Sequence, residues 1–344
     1  MKALQSVKPG DGHSLVLAEM ADPVPGPGEV RVAVEACGIN FPDVLIIEDR
    51  YQFKPERPFA PGGEVAGTVD AVGEGVTDLK VGQRVLAGAG WGGLSEKVCV
   101  EQEKVFALPD KMPMDVAAAF MMTYGTSHHA LFDRGSLKDG EVLLVLGAAG
   151  GVGLAAVELG KARGAKVIAA VSTKEKAQVT RDHGADAAVI YPSGELTKDE
   201  AKAFTAAIRE HAPDGVDVIY DAVGGSYAEP ALRSIAWDGR YLVVGFAAGI
   251  PKIPLNLPLL KGCYIVGVFW GEFVNRNPER HARNAAELFQ MYEAGHLRPH
   301  ISGRYPLARG GEAIAQLASR AAVGKILVIT ERGEQNLREA QETY

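Results

Sequence analysis

The period of the hydrophobic pattern changes along the chain. Over the first hundred residues, short runs at 29–36, 65–72, 83–86 and 94–100 alternate apolar and polar positions, which predicts half-buried β-strands. Turn clusters such as Pro23-Val24-Pro25-Gly26-Pro27-Gly28 separate them. An apolar, helix-like stretch at 113–132 leads to a different regime, in which continuous apolar runs alternate with helical periods. Strands are expected at 142–146, 166–171, 187–191, 216–221 and 241–246, with helices after Gly150, at 177–183 and at 197–211. Such alternation predicts an α/β fold with a doubly wound parallel sheet. The run YIVGVFW at 264–270 reads as a late strand of that sheet, an aggregation-prone edge unless it pairs. A helix at 278–294, a loop at 302–306, a helix at 311–319, a strand at 325–330 and a polar frayed tail at 331–344 complete the pattern.

The most informative stretch is 142–173, a strand–glycine turn–helix–strand unit. Between the two apolar strands lie Gly147-Ala148-Ala149-Gly150-Gly151-Val152-Gly153, then a helix with Val152, Ala155, Ala156 and Leu159 on one face and Gly164 at its end. One βαβ unit opened by glycines is the dinucleotide-binding arrangement, although Ala148 stands at the first glycine of the usual pattern. A pyrophosphate needs free backbone N–H groups at a helix start, where the dipole also favours negative charge. A Cβ at Gly150 would hold the phosphates off, and one at Gly153 would push the helix from the strand. Ala149, Gly150, Gly151, Val152 and Gly153 are therefore candidate cofactor contacts. At the end of the second strand an NAD site carries an acid for the ribose 2′-hydroxyl. Here the position is Ser172, with Thr173 beside it and Lys174 and Lys176 just beyond. A missing carboxylate with cations nearby suits a 2′-phosphate, so NADPH is the expected cofactor; the rival is that the lysines merely solvate a helix start.

Composition narrows the setting. A chain of 344 residues with 47% hydrophobic content can bury the cores of two domains. A net charge of −7 gives no electrostatic footprint for nucleic acid or an anionic membrane. The first residues, MKALQSVKPGDGHS, have no apolar signal region, and no apolar run reaches membrane-spanning length. Cys37, Cys99 and Cys263 are scattered among apolar neighbours with no Cys-x-x-Cys pair, so buried reduced thiols and a cytoplasmic location are expected. His128 and His129 are adjacent, pointing about 100° apart on a helix, and cannot share a metal.

Several motifs act together: Gly38-Ile39-Asn40-Phe41-Pro42-Asp43, Pro61-Gly62-Gly63-Glu64-Val65-Ala66-Gly67, Val81-Gly82-Gln83-Arg84-Val85, Tyr124-Gly125-Thr126, the 147–153 loop and Asp221-Ala222-Val223-Gly224. With them the chain, from Met1 to about Thr330, resembles the zinc-independent NADPH:quinone oxidoreductase branch of the medium-chain dehydrogenases/reductases. The resemblance implies a Rossmann domain inserted in a GroES-like, β-rich catalytic domain, with boundaries at 1–124, 125–267 and 268–344. Zinc-dependent relatives carry a ligand Cys where this chain has Asn40 and a His where it has Gly63, so no metal is expected. Without one, the implied reaction is hydride transfer from NADPH to a quinone or other conjugated carbonyl.

By the same resemblance, Asn40 and Thr126 lie beside the nicotinamide, and Tyr51 or Tyr124 is a possible proton donor. Tyr191 lies near the adenosine phosphate, Gly245, Phe246, Phe269 and Trp270 beside the nicotinamide ribose, and Lys325 toward the 2′-phosphate. A homodimer joined through the edge strand of the Rossmann domain is the implied assembly. Two alternatives stay open: an enoyl-CoA or enone (2-alkenal) reductase, and a crystallin-like NADPH-binding protein with little catalysis.

Overall fold

In the computed structural model, which describes residues 1–342, the chain divides into two compact units. Met1–Met122 and the chain from Ile301 onward form one; Thr123–His300 forms the other.

The first unit is built on the long strand Glu29–Ile39. It pairs antiparallel with Glu64–Val72, with Lys97–Glu101 at one end, and with the late strand Lys325–Ile329 at the other. Alternation along these strands sends Val32, Val34, Val65, Val98, Ile326 and Val328 into one apolar core. The return of the chain is more regular than its sequence suggests. Residues expected as a loop at 302–306 form the strand Ile301–Pro306, parallel to Lys325–Ile329. Gly303 and Pro306 disguise it, and both are tolerated because the strand lies at the sheet edge. The expected polar tail is a helix, Glu331–Glu342; residues 343–344 of that expectation lie outside the described residues. Asn336 Nδ2 donates to Glu35 Oε2 at 2.7 Å, and Thr330 Oγ1 donates to Val34 O at 2.6 Å, so the helix is tied at its start to the central strand.

The second unit holds a six-stranded sheet in the order Ala187–Ile190, Lys166–Val171, Val142–Leu146, Val216–Asp221, Ile235–Val243 and Tyr264–Gly267. Every pairing is parallel. This is the 3-2-1-4-5-6 order of the doubly wound dinucleotide-binding fold. The fifth strand starts earlier than the expected 241 and ends at Val243. Residues 236–239 bulge between the paired Ile235 and Arg240, with Asp238 at φ 58°, which breaks the apolar pattern there. The edge strand is also shorter than its apolar run. It stops at Gly267, and Trp270–Arg276 is helical. The chain leaves this unit at His300 rather than near 268 because the helices that follow pack inside it. Phe273 stacks on His129 at 4.0 Å, and Arg280 and Asn284 donate to Asp133 at 2.7 and 2.9 Å.

All three cysteines are free; Cys37 is buried, whereas Cys99 and Cys263 are half-buried rather than buried as expected. Among the described residues no helix is long and apolar enough to cross a membrane.

Candidate active site

The candidate residues fall into two groups, one in each unit. In the second unit most of them follow the carboxyl ends of parallel strands: 147–153 after Leu146, Ser172 after Val171, Tyr191 after Ile190, Gly245 and Phe246 after Val243, Phe269 and Trp270 after Gly267. The first of these lies where chain order runs outward in both directions, between the strands Val142–Leu146 and Val216–Asp221, the position at which such sheets bind ligands.

Gly147 turns the chain at φ 67°, and Gly150 sits extended at the N-cap of the helix Gly151–Ala162 with no side-chain cap. Gly150 N–H bonds to Gly147 O at 3.0 Å and Leu154 N–H to Gly150 O at 2.8 Å. Helix geometry leaves the N–H groups of Gly151, Val152 and Gly153 without an acceptor in the helix. A Cβ on Gly153 would stand 2.3 Å from Gly147 O, so the helix can approach the turn only over glycine. A Cβ on Gly150 would meet nothing closer than 3.4 Å; the protein does not exclude a side chain there, and the glycine keeps space for a ligand. Three free donors on a positive helix end form a cradle that fits a pyrophosphate.

Around the cradle, Thr173 Oγ1 accepts from Lys176 N at 3.2 Å and caps the helix Lys174–Asp182, which places Ser172 and Lys176, both half-buried, at one strand end. Asp221, at the start of the Asp221-Ala222-Val223-Gly224 motif, organises the neighbouring turn. Its Oδ1 accepts from Val223 N and Gly224 N at 2.7 and 2.8 Å, and its Oδ2 from the Tyr241 hydroxyl. Burial raises the Asp221 carboxyl above the ordinary range, against these donors.

Two tyrosines expected at the ligand are buried. Tyr191 is buried, its ring packed on Phe204 and Tyr227 at 5.5 and 4.6 Å. Tyr124 is buried too, and its hydroxyl donates to Glu158 Oε2 at 2.7 Å. That carboxylate also receives Arg298 N at 2.9 Å and pairs with His183 Nδ1 at 2.5 Å. Burial and the adjacent Glu158 raise the phenol well above its ordinary range, and its proton is committed to that carboxylate. Thr126 is half-buried, and Phe246 and Phe269 are exposed. The Trp270 ring lies against Gly125, where a Cβ would come within 2.8 Å, and edge-on to His281.

The group in the first unit is a buried polar network. Asn40 precedes the short helix Phe41–Ile47, and its N–H donates to Asp43 Oδ2 at 2.7 Å; Asp43 Oδ1 accepts from Gly62 N at 2.9 Å. The Asn40 amide donates to Gly38 O and Glu64 Oε2, both at 3.1 Å, and accepts from Lys325 Nζ at 2.7 Å. Lys325 Nζ also reaches Glu64 Oε2 at 2.9 Å, and Glu64 Oε1 accepts from Met122 N at 2.7 Å. Lys325 was expected to face the 2′-phosphate. Instead it is 4% exposed, its ammonium spent on Glu64 and Asn40 inside the first unit. The apolar strand KILVI gives no sign of this; the partner, Glu64, is distant in sequence. Burial pushes the Asp43 carboxyl up to about 6. Tyr51 is half-buried on the same core beside Phe53, its phenol raised by burial and then by Asp43.

This network does not fit a zinc ion. The Glu64 carboxylate already holds a cation, an asparagine amide stands beside it, and Gly63 cannot become a histidine because its Cβ would lie 2.9 Å from Gly90 O.

Comparison with known proteins agrees with both halves. Residues 26–110 match the alcohol dehydrogenase GroES-like domain, and residues 151–289 match the domain described as zinc-binding dehydrogenase. The quinone oxidoreductase-like protein 2 homolog of Nematostella vectensis is 39% identical over 89% of this chain and 83% of its own length. The human synaptic vesicle membrane protein VAT-1 homolog is 32% identical over 90% of this chain and 81% of its own. Among solved structures, the Escherichia coli quinone oxidoreductase complexed with NADPH superposes with a TM-score of 0.86 at 29% identity, covering 96% of this chain and 100% of that one. The chain belongs to the zinc-independent quinone oxidoreductase family of the medium-chain dehydrogenases/reductases.

Proposed function

We propose that the protein is an NADPH-dependent oxidoreductase that reduces a quinone or another conjugated carbonyl without a metal. The observation that carries this reading is the cradle of free N–H groups on Gly151, Val152 and Gly153 at the sheet's switch point. The E. coli relative crystallised with NADPH supports the choice of cofactor. When bound, the reduced nicotinamide supplies hydride to an electron-poor conjugated carbon. The chain's own part is to bind and orient. The cradle holds the pyrophosphate, and Ser172 and Lys176 receive the 2′-phosphate. Gly245, Phe246, Phe269 and Trp270 flank the nicotinamide ribose, and Thr126 fixes the nicotinamide amide. Asn40, with both amide hydrogens committed and Lys325 on its Oδ1, keeps only the second lone pair of that oxygen for a donor on cofactor or substrate. Tyr51 is the remaining side-chain proton source; solvent suffices for a quinone.

The edge strand Tyr264–Gly267 is the last of its sheet, with Tyr264 58% exposed and Trp237, Leu259 and Leu260 exposed as well. A second copy of the chain pairing along it would bury this apolar surface, so the assembly proposed is a homodimer. Ile265→Lys should yield a monomer by light scattering; a wild-type chain that is itself monomeric would contradict the pairing. Unpaired cysteines suit a reducing, cytoplasmic location.

The direct test is NADPH oxidation with 1,4-benzoquinone, 9,10-phenanthrenequinone, an aliphatic enone and crotonyl-CoA, with NADH as control. Quinone-selective turnover with NADPH preferred is the expected result. Faster enone or thioester turnover would make the protein an enoyl reductase. NADPH binding without turnover would favour the binding-protein reading, which the VAT-1 homolog relative keeps in view.

A further inference from the structure

Behind the cradle lies a pair of buried hydroxyls that none of the family motifs contains. Ser127 Oγ is 2.8 Å from Val152 O and 2.9 Å from the Tyr220 hydroxyl. Ser127 and Tyr220 are both fully buried. A carbonyl can only accept, so the single Ser127 proton goes to Val152 O, and Tyr220 must then donate to Ser127 Oγ. The relay therefore has one direction: Tyr220 to Ser127 to Val152. Burial raises the Tyr220 phenol above its ordinary range, which keeps its proton in place.

The bond has a consequence on the far side of the peptide. Val152 O and Gly153 N–H belong to one planar unit, so holding the carbonyl fixes the direction of the N–H. Gly153 N–H is one of the three free donors of the cradle. The other end of the relay is equally placed. Tyr220 precedes Asp221, whose carboxylate ties the Val223-Gly224 turn, and the Val223 side chain stands 2.8 Å from where a Cβ on Gly147 would be. One strand end thus sets both the glycine turn and the first peptide planes of the helix.

We propose that Ser127 and Tyr220 are positioning residues for the cofactor, aiming the Gly153 N–H at the pyrophosphate through the Val152 carbonyl. The proposal rests on the reading that this helix start holds the pyrophosphate of NADPH.

The test measures NADPH affinity by fluorescence titration, steady-state KM and kcat, and Tm, for wild type, Ser127→Ala, Tyr220→Phe, the double variant and Gly153→Ala. Ser127→Ala should raise Kd and KM for NADPH about five- to tenfold with kcat little changed, because one hydrogen bond that orients a donor is lost. It should also lower Tm, since the Tyr220 hydroxyl is left buried without an acceptor. Tyr220→Phe alone should raise KM only about twofold, Ser127 still reaching Val152. The double variant separates the roles: it removes the orphaned hydroxyl, so Tm should recover while the raised KM stays. KM recovering together with Tm would reduce the pair to a packing role and overturn the proposal, as would an unchanged KM in Ser127→Ala. If Gly153→Ala also leaves NADPH affinity unchanged, the pyrophosphate reading itself falls, and the proposal with it. Weakened binding in Gly153→Ala with none in Ser127→Ala would overturn the proposal alone.

Discussion

The two polar centres of this protein solve opposite problems. In the first unit Asn40, Glu64, Lys325 and Asp43 satisfy one another; donors and acceptors, cation and carboxylate, are matched within a buried network. In the second unit the helix start at Gly151–Gly153 is left open, with no side-chain cap at Gly150. A closed network stabilises and orients, whereas an open one stores binding capacity for a ligand.

If the contrast holds, damage to the closed network should appear as lost stability and damage to the open one as lost affinity. Lys325→Met leaves Glu64 buried without its cation and should cost about 3–5 kcal/mol in chemical denaturation. Adding Glu64→Gln should recover most of it; a full-strength single variant would show the pair to be idle.

The next effect is a pH dependence. Asp43 titrates at about 6 when folded, above the 3.8 of an ordinary aspartate, because burial disfavours its charge. The folded state therefore binds the proton more tightly. The contribution to stability is fully present below pH of about 4 and is lost as pH rises through about 6, up to about 3 kcal/mol. Urea denaturation of wild type and Asp43→Asn at pH 4, 5, 6 and 7 should show a steeper decline in the wild type, the raised Asp221 being common to both. Parallel curves would mean that Asp43 does not titrate there.

Gly153→Ala sharpens the contrast from the other side. The added methyl meets Gly147 O and must push the helix start away, at about 1–3 kcal/mol. NADPH affinity should fall about tenfold or more, with kcat for bound cofactor much less affected. Lost stability with affinity intact would reverse the comparison. The smallest effect is selectivity: Ser172→Asp should weaken NADPH and favour NADH through one carboxylate near the 2′-phosphate. An unchanged NADPH/NADH ratio would remove Ser172 from that role.

The open centre was legible in the sequence because it is local: the strands 142–146 and 166–171 and the glycines between them lie within thirty residues and carry their own period. The closed centre was only half legible. Asn40 and the absence of a histidine at 63 stand out in a motif, but the pairing of Lys325 with Glu64 joins residues 261 apart, and nothing in KILVI announces it. The surroundings of Tyr124 and Tyr191 were hidden for a related reason. A tyrosine near a domain junction or strand end reads as functional, and only packing shows the hydroxyl on Glu158 or the ring on Phe204 and Tyr227. The strand Ile301–Pro306 was hidden by turn residues that an edge position tolerates, and the final helix by its polarity.

The central claim, reduction by NADPH without a metal, is tested most directly by measuring quinone-dependent NADPH oxidation before and after exhaustive chelation, with metal content determined on the same samples. Undiminished turnover by protein holding far less than one zinc per chain is the result predicted. Turnover that falls with chelation and returns with one equivalent of zinc would contradict the account.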